Sequence, residues 1–150
     1  EGSNVGELLM RVDIVPLSIT LAQAAIESGW GTSRYLREGN ALYGQYTYDK
    51  ETGIQPRDRD KGKKFFVKKF LNLSESTQSY LKNINTHNAY RKLRQERGKL
   101  RMNGESLTGL SLAKYLENYS ERKGEYVKDL IQIIRTNNFM KFDRAEGLIN

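Results

Sequence analysis

The chain of 150 residues contains no cysteine and a single histidine, His87. The first absence excludes a disulfide framework, a thiolate metal site and a cysteine nucleophile. The second argues against a histidine-based zinc site and against a Ser-His catalytic pair. No apolar run approaches the length of a membrane span, and the opening "EGSNVGELLM" lacks the shape of a signal peptide. Proline occurs twice, at Pro16 and Pro56.

What is present is charge and aromatic area. The hydrophobic fraction is 37%, but nine tyrosines and five phenylalanines offer large surfaces for burial, so an ordered chain is expected. No shift in composition justifies dividing the chain in two, and one domain is expected over residues 1–150. The net charge of +7 is concentrated in two places. Residues 55–70 carry seven cations and two anions, and residues 87–102 carry six and one, each a local +5. Such a balance attracts polyanions in general, whether nucleic acid, acidic membrane surfaces or anionic wall polymers.

Helical spacing dominates both ends. Val5, Leu8, Leu9 and Val12 form a short amphipathic pattern, and Pro16 suits the first turn of a second helix carrying Leu17, Leu21, Ala24 and Ala25. Both read as core elements. Residues 42–70 change character: aromatics, glycines and the turn signals "ETG" and "DKG" predict a two- or three-stranded hairpin with its tip near 57–63. Helices then resume. Ser74 is the expected cap of one reaching about Asn85, with Tyr80, Leu81 and Ile84 on one face. Asn88 is the expected cap of the next, with Tyr90, Leu93 and Leu100 inward and Arg91, Lys92, Arg94, Lys99 and Arg101 in water. His87 reads as a helix-start or loop residue. Leu112, Leu116 and Tyr119 mark another helix, and Val127, Leu130, Ile131 and Ile134 give the last a single buried face. The expected class is α+β, predominantly α, with one small β-hairpin.

The stretch "QAAIESGWGTS", residues 23–33, is where chemistry is expected. A carboxylate at a helix C-terminus feels the negative end of the dipole, and a tryptophan folded over it adds desolvation. Both would raise the pKa of Glu27 toward that of a general acid working near neutral pH. The plainer reading is an exposed helix-end residue with Gly29 as the C-cap and Trp30 as a core plug.

The segment "LAQAAIESGWGTSRYLREGNALYGQYTY" resembles the catalytic segment of the bacterial glucosaminidase family (mannosyl-glycoprotein endo-β-N-acetylglucosaminidase-like domains). Its motif E-S-x-W-G-x-S is followed there by G-N-x-L-F/Y-G, here "GNALYG". Two later stretches, "FLNLSESTQSYLKNINTHNAYRKLRQER" and "YSERKGEYVKDLIQIIRTNNF", are similar to the Bax-like branch of that family. The likeness covers most of residues 17–139. It implies a lysozyme-like fold and hydrolysis of a β-1,4 bond next to N-acetylglucosamine in peptidoglycan glycan strands, with Glu27 as the acid. It implies no metal or organic cofactor, a monomer, and a place outside the cytoplasm, in the periplasm or cell envelope. Within the same fold a lytic transglycosylase is the near alternative, and a non-catalytic basic module holding wall polymer or nucleic acid is the distant one. The basic helix carries no recognition pattern, so nucleic acid is not an expected partner.

Glycoside hydrolysis usually uses a second carboxylate. Asp58 and Asp60 on the hairpin are available, although alternating charge in a turn is also explained by pairing with Arg57, Arg59 or Lys61. The substrate's own 2-acetamido group is the other route, helped by a tyrosine hydroxyl; Tyr119 matches the tyrosine that the family places beside its glutamate, with Tyr126 structural. Ser28 and Ser33 read as members of the turn. In "GNALYGQYTY", Asn40, Gln45 and Thr47 are expected to bond sugar substituents, and Tyr43 and Tyr48, with Trp30, to stack on sugar faces as a cleft wall.

Overall fold

The computed structural model describes residues 5–57, 62 and 64–144. Helices α1 (Val5–Arg11), α2 (Leu17–Glu27) and α3 (Arg34–Gly39) precede three short strands, β1 (Tyr46–Thr47), β2 (Gly53–Ile54) and β3 (Phe66–Lys68). There follow α4 (Leu73–Thr86), a 3-10 turn at Asn88–Tyr90, α5 (Arg91–Met102), α6 (Gly109–Leu112), a 3-10 segment at Ala113–Tyr119, α7 (Gly124–Thr136) and α8 (Met140–Asp143). The class is α+β and predominantly helical. Among the described residues no helix is long and apolar enough to cross a membrane.

The contacts separate into two compact units, one drawn from residues up to Ala22 and from Lys82 onward, the other Gln23–Leu81. In the first, Ile19, Leu93, Leu112, Leu116, Leu130 and Ile134 are fully buried. The face expected of α7 is present but turned slightly: Tyr126, Leu130 and Ile134 are buried, with Val127 and Ile131 beside them half-buried. Asp143 ties this unit together. Its carboxylate accepts from Ser18 N at 2.9 Å, Ser18 Oγ at 2.6 Å and Gly109 N at 2.9 Å. Two of these three donors are Ser18's own, so its amide and hydroxyl are both satisfied where it is fully buried.

Several expectations are corrected here. The apolar stripe of α1 is not core: Val5, Leu8, Leu9 and Val12 are 54–68% exposed. In α2 the buried residues are Ser18, Ile19, Ala22, Gln23 and the expected Ala25, while Leu17 and Leu21 face water. The helix is rotated from its apolar stripe because Ser18 and Gln23 find buried hydrogen-bond partners. The cap of α4 is Asn72, not Ser74: Asn72 Oδ1 accepts from Glu75 N at 2.9 Å, and Glu75 Oε2 reaches back to Leu71 N at 2.7 Å. His87, not Asn88, caps the 3-10 turn, its Nδ1 accepting from Ala89 N at 3.1 Å.

Arg94 is buried rather than solvated, donating to the carbonyls of Ile84 at 3.0 Å and His87 at 2.9 Å. Arg97, which charge patterning assigned to the basic segment, is 0% exposed. Its guanidinium donates to the carbonyls of Asp13 and Ile14, at 3.1 and 2.6 Å, and to Asn85 Oδ1 at 2.8 Å. A carboxylate oxygen of Asp13 lies 3.6 Å from its Nε and another 2.9 Å from Arg101. Burial alone would raise the Asp13 pKa, but Arg101, the Ile14 amide and Arg97 together hold it below the ordinary carboxylate value.

In the second unit β3 is the central strand, antiparallel to both neighbours in the order β1-β3-β2. Tyr46 faces Val67 across one edge and Ile54 faces Val67 across the other. The expected hairpin is therefore β2 with β3, and β1 joins on the far side. Between β1 and β2 the turn is held by Asp49, whose Oδ1 accepts from Glu51 N at 2.9 Å. Of the expected hairpin tip near 57–63, residues 58–61 and 63, Asp58 and Asp60 among them, lie outside the described residues.

Candidate active site

The motif "ESGWGTS" is a helix stop built from hydrogen bonds. Gly29 N donates to Ile26 O at 3.2 Å and Trp30 N to Ala25 O at 2.8 Å, the paired bonds of a Schellman ending. Gly29 has the left-handed φ of +56° that this ending requires. The chain stays left-handed through Trp30 at +54° and Gly31 at +85°. Ser28, buried, accepts from Gly31 N at 3.0 Å through its Oγ. Ser33 then caps α3, its Oγ accepting from Tyr35 N and Leu36 N at 3.1 and 3.3 Å. Both serines are thus committed to the turn, as their expected structural role requires.

Glu27 is the last residue of α2 and is half-buried. Its carboxylate lies over Gly44, the closing glycine of "GNALYG". A Cβ placed on Gly44 would stand 2.6 Å from Glu27 Oε2. Gly44 also has φ +64°, so two independent demands, backbone hand and space for the carboxylate, exclude a side chain there. Glu27 and Gly44, seventeen positions apart in the sequence, meet at this point.

Trp30 is 60% exposed. It is therefore no core plug, and the expectation that it dries Glu27 by folding inward is not met. A bulky residue with left-handed φ is an uncommon and strained arrangement, of a kind that gathers at functional sites. Here it holds an aromatic face out into solvent three residues from the glutamate.

The remaining predicted residues divide sharply. Tyr43 is 3% exposed, its ring stacked on Tyr80 at 4.0 Å and 11°. Burial pushes its phenol above the ordinary value, against a bond with Thr77 that pulls it back. A ring so enclosed offers no face to a sugar, and Tyr43 is reassigned to the core. Its stacking partner Tyr80 donates to the buried Gln23 at 2.6 Å. Asn40 is also structural: it takes the left-handed cap of α3 at φ +51°, and its amide donates to Phe70 O at 3.0 Å. Thr47 Oγ1 accepts from Asp49 N at 3.1 Å, which holds the turn.

Tyr48 remains open to a ligand, and Gln45 keeps a side-chain oxygen unsatisfied among the described residues. Tyr48 is strongly exposed. Gln45 Oε1 is buried with no hydrogen-bond partner among the described residues, a costly state for an acceptor unless a ligand donor completes it. Tyr46, the other aromatic of the alternating stretch "GQYTY", is likewise exposed and packs on Phe65 at 4.6 Å. Tyr119 belongs to the other unit, where its ring stacks on Tyr126 at 5.8 Å and 8° and tilts against Tyr90 at 6.2 Å.

A glutamate at a helix stop, lodged over a glycine and accompanied by solvent-facing aromatics and an unpaired amide oxygen, has the makings of a carbohydrate-processing site. Residues 3–139 match the glucosaminidase family, described as mannosyl-glycoprotein endo-beta-N-acetylglucosaminidase, and the chain belongs to that family. A curated relative, "Protein bax" of Escherichia coli (strain K12), is 35% identical over 130 residues. That alignment covers 87% of this chain and 46% of the relative, so the chain spans less than half the length of that protein. No solved structure matches the chain at a significant level.

Proposed function

We propose that the chain is a peptidoglycan hydrolase, an endo-β-N-acetylglucosaminidase that cleaves the β-1,4 bond of N-acetylglucosamine in glycan strands. The observation that carries this reading is the seat of Glu27 over Gly44, within the two motif elements that family membership brings together. In this reading Glu27 protonates the leaving glycosidic oxygen. Trp30, Tyr46 and Tyr48 supply flat apolar faces for sugar rings, and Gln45 Oε1 takes an N–H or O–H from the substrate, the 2-acetamido N–H being the fitting donor.

The second half of the reaction has two chemical routes. In the first, Asp58 or Asp60 activates water. In the second, the substrate's acetamido oxygen attacks the anomeric carbon and water later opens the ring so formed; Tyr119 is proposed, from the family motif, as the hydroxyl that assists. A basic chain favours encounter with an acidic wall, which fits work in the periplasm or cell envelope.

Mass analysis of fragments released from purified peptidoglycan tests the reading. Hydrolysis at the proposed bond yields reducing N-acetylglucosamine ends. A 1,6-anhydro end would instead assign a lytic transglycosylase, and reducing N-acetylmuramic acid ends would assign the other glycosidic bond.

A further inference from the structure

Val5, Leu8, Leu9 and Val12 have the spacing of a helix face made for burial, yet they lie in water. The reason is visible in how α1 is seated on α5. Gly98 leaves space beside Met10, and Asp13 just beyond the helix pairs with Arg101. These anchors sit about a quarter turn or more around the helix from the apolar stripe, which is left facing outward.

The stripe does not stand alone. Between α1 and α5 runs a groove of about 920 Å³, lined by Leu9 and Met10 from one side and by Arg91, Lys99 and Met102 from the other. Its charged lining comprises five cations and two carboxylates, Glu7 and Asp13, a net +3. Glu7 is paired with Arg11 at 2.6 Å and Asp13 with Arg101 at 2.9 Å, whereas Arg91 and Lys99 make no salt bridge among the described residues. Met102 is among the most exposed apolar side chains in this unit.

We infer that the outward stripe of α1 and the basic groove beside it form a docking surface for an anionic lipid bilayer. The four aliphatic side chains enter the acyl boundary while Arg91 and Lys99 meet lipid phosphates. The combination selects this occupant. An acidic glycan or a nucleic acid satisfies the cations but gives the aliphatic stripe no reason to leave water. A second copy of the chain presents the same positive charge and is repelled. The inference is independent of the proposed hydrolase activity.

Flotation of the chain with lipid vesicles tests it. Vesicles of phosphatidylcholine containing phosphatidylglycerol should carry the protein up the gradient, pure phosphatidylcholine should not, and added salt should weaken the association. Leu8→Ser/Leu9→Ser should reduce the bound fraction about tenfold or more, since each leucine forfeits much of its burial, with Tm unchanged. Arg91→Glu/Lys99→Glu should abolish the preference for phosphatidylglycerol. Equal binding to both vesicle types, or binding to neither, overturns the inference. So does a marked loss of Tm in Leu8→Ser/Leu9→Ser, which would place the stripe in the core, or sedimentation showing a dimer that this variant dissolves.

Discussion

The Oε2 atom of Glu27 lies 2.6 Å from the point where a Cβ on Gly44 would stand. The glutamate closes a helix and the glycine closes a motif seventeen residues further on, so a backbone without a side chain forms part of the seat of the proposed acid. Gly44→Ala should push the carboxylate aside and lower turnover by roughly a hundredfold, the scale expected for a misplacement of about 1 Å. The left-handed φ adds a cost of about 1–2 kcal/mol. Gly104→Ala is the control: its φ is +66° but nothing lies within 4 Å of the added Cβ, so stability should fall comparably with turnover unchanged.

Trp30 carries backbone strain and an exposed ring at once. Trp30→Gly removes both, and the relief of left-handed strain, about 1–2 kcal/mol, opposes the lost packing. Thermal unfolding should therefore shift little, while KM for glycan strands rises. A large loss of Tm with KM unchanged would return Trp30 to a packing role.

Much of this site was legible because it is local. The Schellman ending follows from glycine after an apolar helix, and Ser28, Ser33, Gly29 and Gly44 act within a few residues of their partners or within a motif. Leu112, Leu116, Leu130 and Ile134 were equally readable from periodicity, and all are fully buried. What the chain concealed is long-range satisfaction of polar groups. Arg97 resembles its exposed neighbours in sequence; it is buried because carbonyls more than eighty residues upstream receive its protons. Tyr43 looked like a site aromatic, but it stacks on Tyr80, far along the chain, in the core. The stripe of α1 misled for the converse reason, since apolar spacing records a preference for burial and not the presence of anything to be buried against.

Asp13 and Arg97 give a stability prediction with a defined pH window. The folded-state pKa of Asp13 is depressed, so at low pH the unfolded chain binds the proton more readily than the folded one, and stability rises with pH through that range. The contribution is complete above the ordinary carboxylate value of about 3.9 and is lost as pH falls through the lower folded value. Asp13→Asn should cost about 3 kcal/mol near neutral pH, because the guanidinium of Arg97 is left buried without its carboxylate. Urea unfolding at pH 7 and pH 3 should show the wild type approaching the variant on acidification.

Tyr119 contributes to chemistry, on the proposed reading, through its hydroxyl alone. Its ring is packed between Tyr126 and Tyr90, so Tyr119→Phe keeps that packing and should change the unfolding free energy by no more than about 1 kcal/mol. Turnover should fall at least tenfold with KM little changed. Wild-type turnover in this variant would leave Tyr119 a purely structural residue.

Release of soluble fragments from labelled peptidoglycan by wild type and by Glu27→Gln, with pulldown on the same insoluble material, decides the role of the glutamate. Glu27→Gln should bind the wall as wild type does and release fragments about a thousandfold more slowly, the scale of a lost general acid. Equal release by the two proteins would contradict Glu27 as the acid, and binding without release by either would make the domain a wall-binding module.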